Sequence, residues 1–232
     1  AQDVGSVLMV DLSPRFSALQ RERLGGRNRI EFLVSDVFAW LQSGPDPVDL
    51  VISNENIGDF PTLAGLDAAR LRDAARRGPP FGEDPAGRAA RLVHRYGLDL
   101  PEEGELAFNL GALEYVERLA PVAKAVFLSE HSADAAPPAP WDFLKTEPDR
   151  RPRRIPLKDH DEYSIRFDHL AAVGRGVGYR TERLSMPEFL GLRADEGARF
   201  LSRVECAGIE GAEALHEFLN HVKEYECLLL TR

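Results

Sequence analysis

Within the first 55 residues, short apolar runs alternate with helical stretches, and each run stops on polar or acidic groups. Val7 to Val10 ends on Asp11, Ile30 to Val34 ends on Ser35 and Asp36, and Asp49 to Ser53 ends on Asn54 and Glu55. Apolar runs this short, set between turn signals, read as strands. After the first, Ser13 caps a helix and Pro14 takes its first position, where a missing N–H costs nothing. Phe16, Leu19, Gln20, Arg23 and Leu24 follow at helical spacing, and Gly25 and Gly26 end the helix. Val37 to Leu41 reads as a second, short helix, and Ser43 to Pro47 as a turn. The order is β-α-β-α-β, which predicts an α/β fold with a mostly parallel sheet and helices on both faces. In such a sheet the carboxyl ends of the strands share one edge, and ligands bind in the crevice beyond it.

The third tip is the most polar. Asn54 and Glu55 offer a carbonyl, an amide and a carboxylate there, and Asp59 and Pro61 follow in the same loop. A carboxylate just past a strand can accept hydrogen bonds from both hydroxyls of a ribose. For Asp11 alone, the capping or turn role weighs as much as that one. Polar groups at three successive tips favour a ligand crevice.

Residues 62–104 are rich in Ala and Arg and carry two helical patterns, Leu66 to Arg76 and Pro85 to Tyr96. They read as a helical insertion or lid in an α/β domain made of residues 1–61 and 105–232. In the rest of that domain, Leu106 to Leu119 is expected to be a helix. Ala123 to Ser129 is expected to be a fourth strand, followed by Glu130 and His131. Ala133 to Asp161 is Pro-rich and without periodicity, a long loop of the kind that is functional or mobile. A helix from Phe167 to Val173 and a strand from Tyr179 to Leu184 come next. Ser185 to Glu188 is a capping box. Helices are expected at Asp195 to Ala207 and Gly211 to Glu224, and Cys227 to Leu230 is a closing strand.

Composition excludes several roles. A net charge of -9 argues against a nucleic-acid partner, and no apolar run reaches the roughly 20 residues of a membrane span. The opening AQDVGSVLMVD has no basic segment of a secretory signal. Two cysteines, Cys206 and Cys227, fit free thiols in a reducing compartment, the bacterial cytoplasm or the mitochondrial matrix. Gly174, Gly176 and Gly178 follow a helix and precede a strand, so they read as a helix end and turn, not as a phosphate loop. Ser129, Glu130 and His131 are chain neighbours without a nucleophile elbow, which argues against a hydrolase triad. His94, His160, His169, His216 and His221 show no metal spacing, so no metal is expected.

Four stretches in order carry a family resemblance: VLMVDLSPRFSALQRERL from Val7, LVISNENIGDFP from Leu50, FDHLAAVGRGVGY from Phe167 and MPEFLGLRA from Met186. Together the chain resembles the MidA-like family of class I S-adenosylmethionine-dependent methyltransferases. The mitochondrial member of that family methylates an arginine on a respiratory complex I subunit. The resemblance implies a Rossmann-like methyltransferase sheet with S-adenosyl-L-methionine as cofactor. It also implies a protein substrate, with arginine as the modified side chain. Asp11 then matches the acid on the ribose, Asp36 and Val37 fall where the adenine is contacted, and Asn54 and Glu55 match the methyl-transfer loop. The loop's aspartate is represented by Asp59, one place later than in the family, where Gly58 stands. The family's first strand and glycine-rich cofactor loop would precede Val7, so they are expected to be missing from this chain. The alternative is a catalytically inactive relative that serves as a partner-binding or assembly factor. A dinucleotide-dependent oxidoreductase is a third reading, but it leaves the Asn-Glu loop without a role.

Overall fold

In the computed structural model of the protein, residues 4–27, 29–136, 149–191, 193, 195 and 222–232 are described. The chain divides into two units, Ala1–Pro47 and Val48–Arg232. In the first, β1 (Val7–Asp11) and β2 (Ile30–Val34) pair in parallel, with Val7 opposite Ile30 and Asp11 opposite Val34. Parallel pairing needs a crossover. Helix α1 (Pro14–Leu24) supplies it, started by Ser13, whose side chain accepts from the Phe16 N–H. Helix α2 (Val37–Gln42) follows, capped by Asp36.

The second unit is built on a four-stranded sheet. Its strands are β3 (Val48–Asn54), β6 (Ala123–His131), β10 (Tyr225–Thr231) and β9 (Arg180–Ser185), in that spatial order. β3 and β6 are parallel, and β10 is antiparallel to both its neighbours. So β3, β6 and β9 run one way and β10 runs against them. Between β3 and β6 the chain forms β4 (Leu63–Asp67), α3 (Ala68–Arg77), α4 (Pro85–Tyr96), β5 (Glu105–Phe108) and α5 (Leu110–Leu119). After β6 come the hairpin strands β7 (Arg154–Pro156) and β8 (Asp161–Tyr163), then α6 (Phe167–Gly176). The short α7 (Met186–Phe189) lies between β9 and β10.

The core lies where α5 and α6 meet each other and α6 meets β9 and β10. Val126, Leu128, Leu228 and Leu230 of the sheet and Val116, Leu119, Phe167, Leu170 and Val173 of the helices are fully buried there. Leu50 and Ile52 of β3 stay exposed. No described helix is long and apolar enough to cross a membrane.

Several expectations need correction. One mostly parallel sheet was expected. Among the described residues the strands instead form four sheets, and the largest mixes parallel and antiparallel pairing. The helix expected from Leu106 starts at Leu110, because Leu106 and Phe108 alternate inward on β5 and pair with Leu66 and Leu63 of β4. Their spacing from Leu110 and Leu113 imitates a helical stripe. The same pairing takes Leu66 out of the first helical pattern, and Asp67 caps α3 instead. The hairpin β7–β8 begins inside the expected Pro-rich loop and ends two residues beyond it. As expected, Gly174 and Gly176 lie in the end of α6 and Gly178, at φ +97°, makes the turn into β9. The capping box at Ser185 is present, with both of its hydrogen bonds. The helices expected at Asp195 to Ala207 and Gly211 to Glu224 fall largely outside the described residues, as does Cys206.

Gly111, in the first turn of α5, ties this helix to the loop after β3. Its N–H donates to the Pro61 carbonyl at 2.8 Å. A Cβ on Gly111 would lie 2.8 Å from the Pro61 nitrogen and 2.9 Å from the Phe60 Cβ, closer than van der Waals contact allows. Gly111→Ala is therefore expected to destabilise the fold by about 1–3 kcal/mol, the scale of overpacking. Urea unfolding checks this; an unchanged midpoint would mean the loop yields freely.

Candidate functional site

The site begins where β3 ends. Glu55 has φ +51°, the left-handed region, which costs a non-glycine residue roughly 1–2 kcal/mol. Two bonds from β6 hold the turn. The Glu55 N–H donates to the Ser129 carbonyl at 3.0 Å, and the Ser129 hydroxyl donates to Asn54 Oδ1 at 2.6 Å. The hydroxyl of Ser129 is thus engaged with Asn54.

Three residues on, Gly58 is gripped from two sides. Its N–H donates to Glu130 Oε2 at 3.2 Å, and its carbonyl accepts from the Tyr163 N–H at 3.1 Å. A Cβ there would sit 3.2 Å from the Tyr163 carbonyl oxygen and 3.3 Å from the Glu130 carboxylate. The position where the MidA-like loop carries Asp is therefore a close approach of backbone and side chain in this chain, and glycine fits it.

Glu130 is the most perturbed acid of the site. It is 3% exposed, and its Oε1 accepts from the His131 N–H at 3.0 Å. Burial pushes its carboxyl up to about 7. The two backbone N–H groups oppose this in part, while the charges of Glu162 and Glu55 add to it. Burial also raises Glu162, reinforced by Asp59 and Glu55. The Tyr225 phenol, at the start of β10 opposite His131, is held well above its ordinary range by burial and then by Glu55, Glu130 and Glu162. Tyr225 and Glu55 share a hydrogen bond. At the rim, His160 Nε2 lies 2.8 Å from Asp59 Oδ1 and 3.9 Å from Glu162 Oε1.

The structure thus gathers Asn54, Glu55 and Asp59 with Glu130, His160, Glu162 and Tyr225, none of which the sequence reading placed in a site. Glu130 had a readable signal, being an acid at a fourth strand tip. His160 and Glu162 had none, because they come from a hairpin about a hundred residues further along the chain. Asp11, Asp36 and Val37 belong to the first unit. The half-buried Asp11 carboxylate accepts from the Ser13 N–H at 2.8 Å and from Gln20 Nε2 at 3.0 Å, one bond per oxygen. Asp36 is exposed and accepts from the Ala39 N–H at 2.9 Å as the cap of α2, and Val37 opens that helix.

No protein-family profile matches the chain, and no curated protein sequence matches it. The fold is similar to the crystal structure of an uncharacterized protein from Burkholderia thailandensis, of the superfamily that contains the MidA-like proteins. The TM-score is 0.53 at 17% identity, over 99% of this chain and 67% of that one. At that identity the likeness is one of fold: the chain has a mixed α/β architecture.

Glu130 gives the site a pH signature. A carboxyl raised from 4.5 to about 7 disfavours the folded state once it ionises, by about 3 kcal/mol in all. Its contribution to stability is fully present below pH 4.5 and is lost as pH rises through about 7. Glu130→Gln is expected to flatten the stability–pH curve across that window by up to about 3 kcal/mol, whatever its absolute stability. Denaturant melts at a series of pH values read this; parallel curves for the two proteins would mean Glu130 ionises normally.

Proposed function

We propose that the protein is an S-adenosylmethionine-dependent methyltransferase acting on a cationic protein side chain, arginine foremost. One observation carries this reading: Glu55, held at a positive φ, stands with the buried Glu130 and with Asp59 and Glu162 at the carboxyl ends of β3 and β6. Planar guanidinium groups fit carboxylates in forked, charge-assisted pairs. A guanidinium nitrogen must give up a proton as it gains a methyl group. Glu130, with a carboxyl near neutrality, suits that transfer, and Glu55 suits orientation of the acceptor. Tyr225 holds Glu55 by a hydrogen bond, and the Ser129 carbonyl holds the Glu55 N–H.

The donor chemistry for the cofactor also fits. Each oxygen of Asp11 holds one hydrogen bond and keeps a second lone pair for a ribose hydroxyl. In this reading Asp11, Asp36 and Val37 of the first unit contact the cofactor, whose sulfonium, when bound, supplies the methyl group. Residues 1–61 and 105–232 make up the methyltransferase domain, and 62–104 its insertion. One observation favours the alternative of an inactive, partner-binding relative: Gly58 occupies the family's Asp position, and Asp59 is turned to His160.

Calorimetric titration with S-adenosylhomocysteine is expected to give micromolar binding, weakened by about 1–3 kcal/mol in Asp11→Ala. Glu55→Gln should keep that affinity and lower methyl transfer to an arginine peptide by about 10²–10⁴-fold. Absence of binding to residues 1–232 would mean an incomplete cofactor site in them and would favour the partner-binding alternative.

A further inference from the structure

We propose that Asp59, His160 and Glu162 form a binding site for a divalent transition-metal ion. The three side chains offer one imidazole nitrogen and two carboxylate oxygens, all within 4.8 Å of one another. Metal–ligand bonds of about 2.0–2.2 Å place neighbouring ligand atoms about 3–4 Å apart. The observed separations of 2.8 and 3.9 Å about His160 Nε2 lie close to that spacing. Small side-chain rotations would bring all three onto one ion. A site with one imidazole and two carboxylates suits manganese, iron or zinc; calcium and magnesium prefer oxygen alone.

The main chains that carry these ligands are held independently of any ion. Gly58, next to Asp59, accepts from the N–H of Tyr163, next to Glu162, at 3.1 Å. The hairpin turn is closed by the Leu157 N–H donating to the His160 carbonyl at 2.9 Å. Asp161, between His160 and Glu162, is turned to the Arg154 guanidinium at 2.8 Å and so is not a ligand. Asp59 and His160 are exposed, which leaves coordination positions for water or a further ligand. An ion there would clip the β7–β8 hairpin to the loop that carries Glu55.

The test uses the full chain, stripped with chelator, and zinc or manganese chloride alone. Calorimetry is expected to show one equivalent bound at micromolar or tighter affinity, weakened at least about tenfold in His160→Ala and in Glu162→Gln. Cobalt(II) should give visible absorption bands that disappear in His160→Ala. Asp161→Asn should bind metal like the wild type. His160 is exposed, so its variant should match the wild type in chelator melts. Equal affinity in the wild type and His160→Ala, or no binding at millimolar metal, would overturn the site.

Discussion

The tie between the tips of β3 and β6 is what the candidate site depends on. Parallel pairing sets Asn54 opposite Ser129, and Ser129 then uses both its carbonyl and its hydroxyl to hold the next turn. Without those bonds Glu55 would have no reason to sit at a positive φ. With them, its carboxylate is held next to Tyr225, and the loop runs on to Gly58 and Pro61. From there Gly111 anchors the loop to α5 and hence to the core. Helix α5 and the loop that carries Glu55 are therefore mechanically one piece.

Crowding of like charge is the cost of this arrangement. Glu55, Glu130 and Glu162 each raise the energy of ionising a neighbour, and burial adds to it at Glu130. Backbone N–H groups from His131 and Gly58 offset only part of that penalty. Folded chains retain such conflicts mainly where function requires them. A bound cation, whether a substrate side chain or a metal ion, relieves the conflict by supplying the missing positive charge. The methyl-transfer reading assigns its chemistry to Glu55 and Glu130 and the metal-site reading to Asp59, His160 and Glu162, so each is tested by its own variants.

Among the described residues, other charges of the second unit meet partners of opposite sign within it. Arg183 meets Asp134 and Glu226, and Asp134 also caps α6 by accepting from the Phe167 and Asp168 N–H groups. Arg88 pairs with Glu114, and Arg91 with Glu117, which fastens α4 to α5. Each of these acids faces a guanidinium. The contrast with the loop after β3 is what singles that loop out.

Local rules were legible in the chain. The caps at Ser13 and Ser185, the glycine turn after α6, the strands β1, β2, β3, β6 and β10, and the Asn-Glu loop all follow from short-range spacing and turn chemistry. Where a strand imitated a helix, as at Leu106 and Leu66, the reading failed, because only the pairing of β4 with β5 distinguishes the two. Register and partner choice were decided by tertiary structure, which divided the strands among separate sheets and reversed β10. The same holds for the candidate site. Asn54, Glu55 and Asp59 are close in sequence and could be read together. Glu130, His160, Glu162 and Tyr225 join them only because strand pairing and one backbone bond across Gly58 bring distant segments within reach. Spacing along a chain reports what one element can do alone; which charges meet is settled by how the elements fold onto one another.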